Sequence, residues 1–191
     1  MTTTNLRITA ALCAVVMATG CASKAQPTGT GTSGATTCKT DDECPDSNAC
    51  VENACVAFAV CAHDLQPTFD SIYADVLSKS CGTDGTDCHS SAGGIYSGGL
   101  DMSQGDANDP YVALVGKDGT GAFAQNISGK AEDLRRVVPG DPAHSFIVIK
   151  LMTTSTGDPQ YGHGMPYPSP GSVCPATLST ISAWITAGAA R

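Results

Sequence analysis

This sequence is poor in charge, in aromatic side chains and in basic residues. Charged residues make up 15% of the 191-residue chain and aromatic residues only 5%. So little charge excludes a coiled coil, whose seam is flanked by charged positions. Lys and Arg number 10 against 18 Asp and Glu. This acidic balance argues against a nucleic-acid partner and against an anionic membrane surface, because both require a basic face.

Sequence motifs of common enzyme classes are missing as well. The chain contains no G-x-S-x-G, no H-E-x-x-H and no glycine-rich phosphate loop. These patterns are typical of hydrolases with a serine nucleophile, of zinc proteases and of nucleotide-binding proteins, respectively. We therefore expect that the protein is not an enzyme. Hydrophobic residues nevertheless reach 41%, which is too many for a fully disordered chain.

The N-terminus has the features of an export signal. Arg7 precedes a short apolar run from Ile8 to Ala18, which is too short for a permanent membrane span. The run ends at Ala18-Thr19-Gly20-Cys21, where small residues before a cysteine resemble the lipobox of bacterial lipoproteins. An ordinary secretory signal followed by a stray cysteine is the alternative.

The lipobox resemblance implies the fate of the first residues. Residues 1–20 would be a signal peptide, and Cys21 would be lipidated. Ala22 and Ser23, rather than an Asp, directly follow this cysteine. By resemblance we therefore expect an exported protein that is lipid-anchored to the bacterial outer membrane. Residues 21–37 are rich in Ala, Ser, Thr and Gly without apolar periodicity, which predicts a flexible tether.

Ten cysteines are unusual for a protein of the reducing cytosol. Four of them lie close together and define a module at residues 38–60, which is too small to bury a core of its own. The four-cysteine spacing resembles that of small modules in secreted proteins. We expect two disulfides here, with open connectivity, rather than the alternative of a zinc site, because C-x2-C pairs are absent. The module cysteines are Cys38, Cys44, Cys50 and Cys55.

Residues 61–191 define the main domain, which the hydrophobic pattern predicts to be helical. Phe69 to Leu77 shows the i, i+3, i+4, i+7 spacing of an amphipathic helix. A second helix is predicted from Asp109-Pro110 to Gly116, a third from Asp141-Pro142 through Met152, and a fourth from about Pro175 to Ala187. The predicted fold class is therefore all-α with long loops, preceded by the small disulfide-rich module.

The order of motifs in the main domain resembles that of a c-type cytochrome. Cys81 and Cys88-His89 follow the first predicted helix, Met165-Pro166 lies far downstream, and a terminal helix with Trp184 comes last. The resemblance covers roughly residues 61–189 and implies a cytochrome-c-like helical domain.

In that family two cysteine thiols bind haem c covalently, and a His and often a Met ligate the iron. The resemblance thus implies Cys81 and Cys88 as thioether residues, with His89 and Met165 as axial metal ligands. Met102 is a weaker candidate that is expected in the core, and His163 is an alternative to Met165 that is expected at the surface. Arg135 and Arg136 would either meet the haem propionates or form a solvated pair.

The spacing C-x6-C-H departs from the usual C-x-x-C-H. The six inserted residues would either loop out, so that both thiols still reach the haem, or close a Cys81–Cys88 disulfide without haem. In both cases Cys61 and Cys174 remain and can pair.

Two functions follow as expectations. The first is a membrane-anchored, single-haem electron carrier whose acidic surface selects a redox partner protein with a basic patch. The second is a haem-free, disulfide-stabilised binding or structural lipoprotein on a cytochrome-c-like frame. Neither involves nucleic acid.

Overall fold

A computed structural model describes seven stretches of the chain: residues 37–82, 89–90, 98–103, 109–124, 134–154, 161–167 and 170–191. The predicted signal peptide, the lipidation site Cys21 and the haem-attachment candidate Cys88 lie outside the described residues. In the described parts, no helix is both long enough and apolar enough to cross a membrane.

The module forms a β-hairpin after one short 3-10 turn at Asp41–Glu43. Strand β1 (Asn48–Val51) pairs antiparallel with strand β2 (Ala54–Ala57). The two turn residues, Glu52 and Asn53, both have positive φ, at 51° and 64°. A two-residue turn of this kind matches the twist of paired strands.

The expectation of an all-α fold is therefore wrong. The described chain contains a two-stranded antiparallel sheet together with short helices. The physical reason is local: two residues tolerate the left-handed region in a tight turn, and Cys50 is paired directly across from Cys55. Four-residue strands are too short to give a clear alternating pattern.

The first predicted helix is present, although it is not uniformly α-helical. Helix α1 (Phe69–Ile72) continues through a π turn at Tyr73–Leu77 into helix α2 (Ser78–Ser80). The Thr68 hydroxyl caps its start by accepting from the Ser71 N–H. All members of the predicted apolar stripe are buried, and they are Phe69, Ile72, Tyr73, Val76 and Leu77.

Two of the other predicted helices have nearly the expected bounds. Helix α3 (Pro110–Val115) is capped by the Asp109 carboxylate, which accepts from the N–H groups of Tyr111 and Val112, and it ends at Gly116 with φ 83°. Helix α5 (Pro175–Thr186), with 12 residues, is the longest helix among the described residues.

The third predicted helix is divided at Ser145. A 3-10 turn at Pro142–His144 is capped by Asp141, as expected, but Ser145 is extended and helix α4 (Phe146–Met152) begins after it. The buried Ser145 hydroxyl explains the break. It accepts from the Val138 N–H at 2.8 Å and lies 2.8 Å from the Asp141 carbonyl, to which it donates.

One hydrophobic core joins these helices. Its largest fully buried side chains include Trp184 and Ile181 from α5, Leu114 from α3 and Ile72 from α1. The ring of Phe69 lies 5.9 Å from that of Trp184 and 5.1 Å from that of Tyr111. The core thus brings the first, second and last helices of the main domain together.

Candidate functional site

Disulfides account for six of the seven cysteines that lie in the described parts of the chain. Cys38 bonds to Cys50, Cys44 to Cys55 and Cys61 to Cys174, so the predicted use of disulfides is confirmed. The Sγ atoms of Cys38, Cys44 and Cys55 lie within 4.8 Å of one another. Because each of these sulfurs is bonded to another cysteine, the structure favours disulfides over the zinc alternative in the module.

Cys81 carries a free thiol. It directly follows α2, where its N–H donates to the Leu77 carbonyl at 2.9 Å, and it packs against the hydrophobic core. Burial raises the pKa of this thiol to about 11. The thiol is therefore protonated at neutral pH.

His89 lies beside Cys81 although seven residues separate them in the sequence. The His89 N–H donates to the Cys81 carbonyl at 3.2 Å, and the Met102 N–H donates to the His89 carbonyl at 2.6 Å. The chain that leaves at Gly82 therefore returns to its starting point at His89. The second thiol candidate, Cys88, lies between these positions and outside the described residues.

Met102 fixes this arrangement from the core side. Its side chain is 1% exposed, as expected for a core methionine, and its carbonyl accepts from the Tyr73 hydroxyl at 2.7 Å. Burial and the nearby Asp101 carboxylate raise the pKa of Tyr73. A side chain at Gly82 would overlap the Met102 Cβ, so the residue after Cys81 must be glycine for this approach.

Met165, the predicted second axial ligand, belongs to a separate segment. It is half-buried and packs against the same core as Cys81. Its N–H donates to the Lys150 carbonyl at 2.8 Å. The alternative ligand His163 is exposed, and its ring packs edge-on against Tyr167.

Arg135 and Arg136 have different surroundings. The Arg135 guanidinium lies 4.3 Å from the ring centroid of the exposed Phe123. Arg136 is 7% exposed and donates to the carbonyls of Ala113, at 2.7 Å, and Gly98, at 3.0 Å. The solvated pair is therefore wrong for Arg136, and burial lowers the pKa of its guanidinium.

The guanidinium of Arg136 has no carboxylate partner in the part of the chain that the structure describes. Arginine has five N–H donors, and the two hydrogen bonds to backbone carbonyls use only part of this capacity. A buried cation of this kind favours an anionic group nearby.

Lys150 was missed at the sequence level. It is the lone cation of α4, in the run Phe146-Ile-Val-Ile-Lys-Leu-Met152, and it contacts the segment that ends at Met165. A single charge in an otherwise apolar helix was the available signal, since such a residue needs a polar partner.

No family model, curated protein or solved structure matches this chain. The function assigned to the candidate site therefore depends on the chemistry and geometry of its own residues.

Proposed function

We propose that this protein is an exported, lipid-anchored electron carrier that holds a single covalently attached haem c. The observation that carries the proposal is the hydrogen bond between the His89 N–H and the Cys81 carbonyl. In a C-x-x-C-H motif a thiol and the iron-ligating imidazole are close because few residues separate them. Here a main-chain contact brings the corresponding residues together across a longer insertion.

The residues fit such a group in two respects. Cys81 has a free thiol at the edge of the hydrophobic core, which is the state required of a residue that forms a thioether. Arg136 supplies a buried cation, and haem carries two carboxylates that such a cation can pair with. The proposed attachment residues are Cys81 and Cys88, and the proposed axial ligands are His89 and Met165.

Haem supplies one-electron redox chemistry when bound, and the residues around it set its reduction potential. An imidazole nitrogen of His89 and the sulfur of Met165 would hold the iron. The core that contacts Cys81 and Met165 would keep water from the site, which favours a stable ligand set. Arg136 would place a positive charge at the side of the site formed by α3 and Gly98.

The same proposal includes the location and the partner. Lipidated Cys21 would anchor the chain to the outer membrane, and the following tether would hold the folded part away from the lipid surface. A formal net charge of −8 favours a redox partner protein with a basic patch, because opposite charges accelerate the encounter.

One observation favours the alternative of a haem-free binding or structural lipoprotein. Three disulfides stabilise the described chain, and the module that contains two of them supplies none of the proposed haem-binding residues. Such rigid, disulfide-bonded modules suit contact with other molecules outside the cell.

The test is expression in a bacterial host with haem-attachment machinery. The wild type is expected to keep its haem absorbance in denaturant, because thioether bonds survive unfolding. Cys81→Ser and Cys88→Ser should each lower covalent attachment, whereas His89→Ala should disturb the iron spectrum without removing haem. His144→Ala is the matched control, since His144 is exposed and pairs with Asp141. Colourless wild-type protein would favour the alternative.

A further inference from the structure

Lys150 contacts the segment 161–165 at three points. Its ammonium group donates to the carbonyl of Tyr161 at 3.1 Å and also to the carbonyl of His163. Its own carbonyl accepts from the Met165 N–H at 2.8 Å. One residue of α4 therefore holds the beginning, the middle and the end of this five-residue segment.

The backbone of the segment 161–165 fits closely in its position against α4. Gly162 has φ 72°, a backbone conformation that glycine adopts without strain. A Cβ on Gly164 would overlap the Thr153 carbonyl at the end of α4. The segment thus lies directly against the helix end, in the place where the Lys150 ammonium group can reach two carbonyls.

The charge of Lys150 is central to this arrangement. Hydrogen bonds with an ionised donor are stronger than neutral ones, and an ammonium group can serve several acceptors from one point. The Phe146 ring lies under the same ammonium, with its centroid 5.6 Å away. A neutral, apolar side chain at position 150 would leave the two carbonyls without this donor.

We infer that Lys150 is a positioning residue that clamps the segment 161–165 and so determines where the Met165 side chain is presented. The part of this inference that concerns an axial ligand rests on the proposed function. The clamp itself depends only on the contacts of the chain. Lys150 does not touch the iron in this account, because it acts through the segment that carries Met165.

The first experiment measures amide hydrogen exchange in the full-length exported protein, whatever its haem content. Lys150→Met should make the Met165 amide exchange about tenfold faster, because two charge-assisted hydrogen bonds are lost. Lys150→Arg, which keeps the cation, should restore part of the protection. Lys79→Met is the matched control, since Lys79 is exposed and pairs with Asp75. Unchanged exchange of the Met165 amide in Lys150→Met would overturn the clamp.

Folding is checked with the amides of α5. If these lose protection in Lys150→Met, the milder Lys150→Gln replaces it, and the same expectation for the Met165 amide applies. Gly164→Ala provides a second route to the same state, because its methyl group would push the segment away from Thr153. It should speed exchange of the Met165 amide as Lys150→Met does. An unaffected Met165 amide in Gly164→Ala would contradict the described position of the segment 161–165.

The second readout is the reduction potential of the haem-bearing protein. Lys150→Met should shift it and weaken the absorption band of methionine-to-iron coordination, whereas Lys79→Met should leave both unchanged. An unchanged potential and band would overturn the role of Lys150 toward the ligand. A protein without haem would instead overturn the proposed function, and the exchange result would still decide whether the clamp exists.

Discussion

Two disulfides lie within the module, where they join residues 12 and 11 positions apart, whereas Cys61–Cys174 joins residues 113 positions apart in the main domain. The module buries few apolar side chains, namely Cys38, Cys44, Ala49 and Val60. The main domain buries a continuous core that includes Trp184, Ile181 and Leu114. Covalent links therefore replace packing in the module and supplement it in the main domain.

The two regions are also joined to each other. Val60 and Val173 form a parallel bridge next to the Cys61–Cys174 disulfide. The Nε2 atom of His63 lies 2.9 Å from the Asn48 carbonyl of β1. These contacts attach the hairpin to the N-terminal end of α5. Because each region has its own source of stability, variants that disrupt one of them should spare the other.

The largest effect is expected from Trp184→Ala. The Trp184 side chain is 2% exposed, and its indole N–H donates to the Ala190 carbonyl at 2.7 Å. Loss of this ring should lower the free energy of unfolding of the main domain by about 3–5 kcal/mol, as measured by urea denaturation. Met152→Ala is the control, because Met152 is 61% exposed, and it should have little effect. Equal losses for the two variants would contradict a core centred on Trp184.

A smaller effect, confined to the module, is expected when Cys38 and Cys50 are both changed to Ser. A disulfide that closes a loop of roughly 15 residues contributes about 3 kcal/mol. Amides of β1 and β2 should then exchange faster, while those of α5 keep their protection. Faster exchange throughout α5 would show instead that the main domain depends on the module.

The smallest effect concerns the Cys81 thiol and leaves stability unchanged. In the haem-free protein burial raises the pKa of this thiol from 9.0 to about 11. Only the thiolate reacts with iodoacetamide, so alkylation at pH 8 should be about a hundredfold slower than for a cysteine of ordinary pKa. Site-resolved mass spectrometry at increasing pH should show the rate still rising up to pH 11. A rate that levels off near pH 9 would contradict burial of the thiol.

Local patterns predicted much of the main domain. The spacing from Phe69 to Leu77 indicated a helix with a buried face, and the Asp-Pro pair at 109–110 indicated the start of α3. Both depend on residues near in sequence. The break at Ser145 could not be predicted in this way. It depends on the buried Ser145 hydroxyl, which donates to the Asp141 carbonyl and accepts from the N–H of Val138, seven residues away.

The candidate site likewise combines features that the sequence predicted with features that depend on distant residues. The residue types Cys81, His89 and Met165 were visible in the sequence as a family resemblance. Their placement depends on contacts between distant segments, such as the hydrogen bond from Met102 to His89 and that from Met165 to Lys150. The burial of Arg136 likewise depends on the carbonyls of Gly98 and Ala113. No local pattern encodes these partners.

Covalent haem is the central claim, and the intact mass of the denatured protein tests it most directly. The protein is exported from a host with haem-attachment machinery, unfolded and measured without reduction of its disulfides. We predict that the mass exceeds that of the processed chain with three disulfides by one haem, and that Cys81→Ser lowers the fraction carrying this adduct. A wild-type mass that corresponds to four disulfides and no adduct would contradict the account.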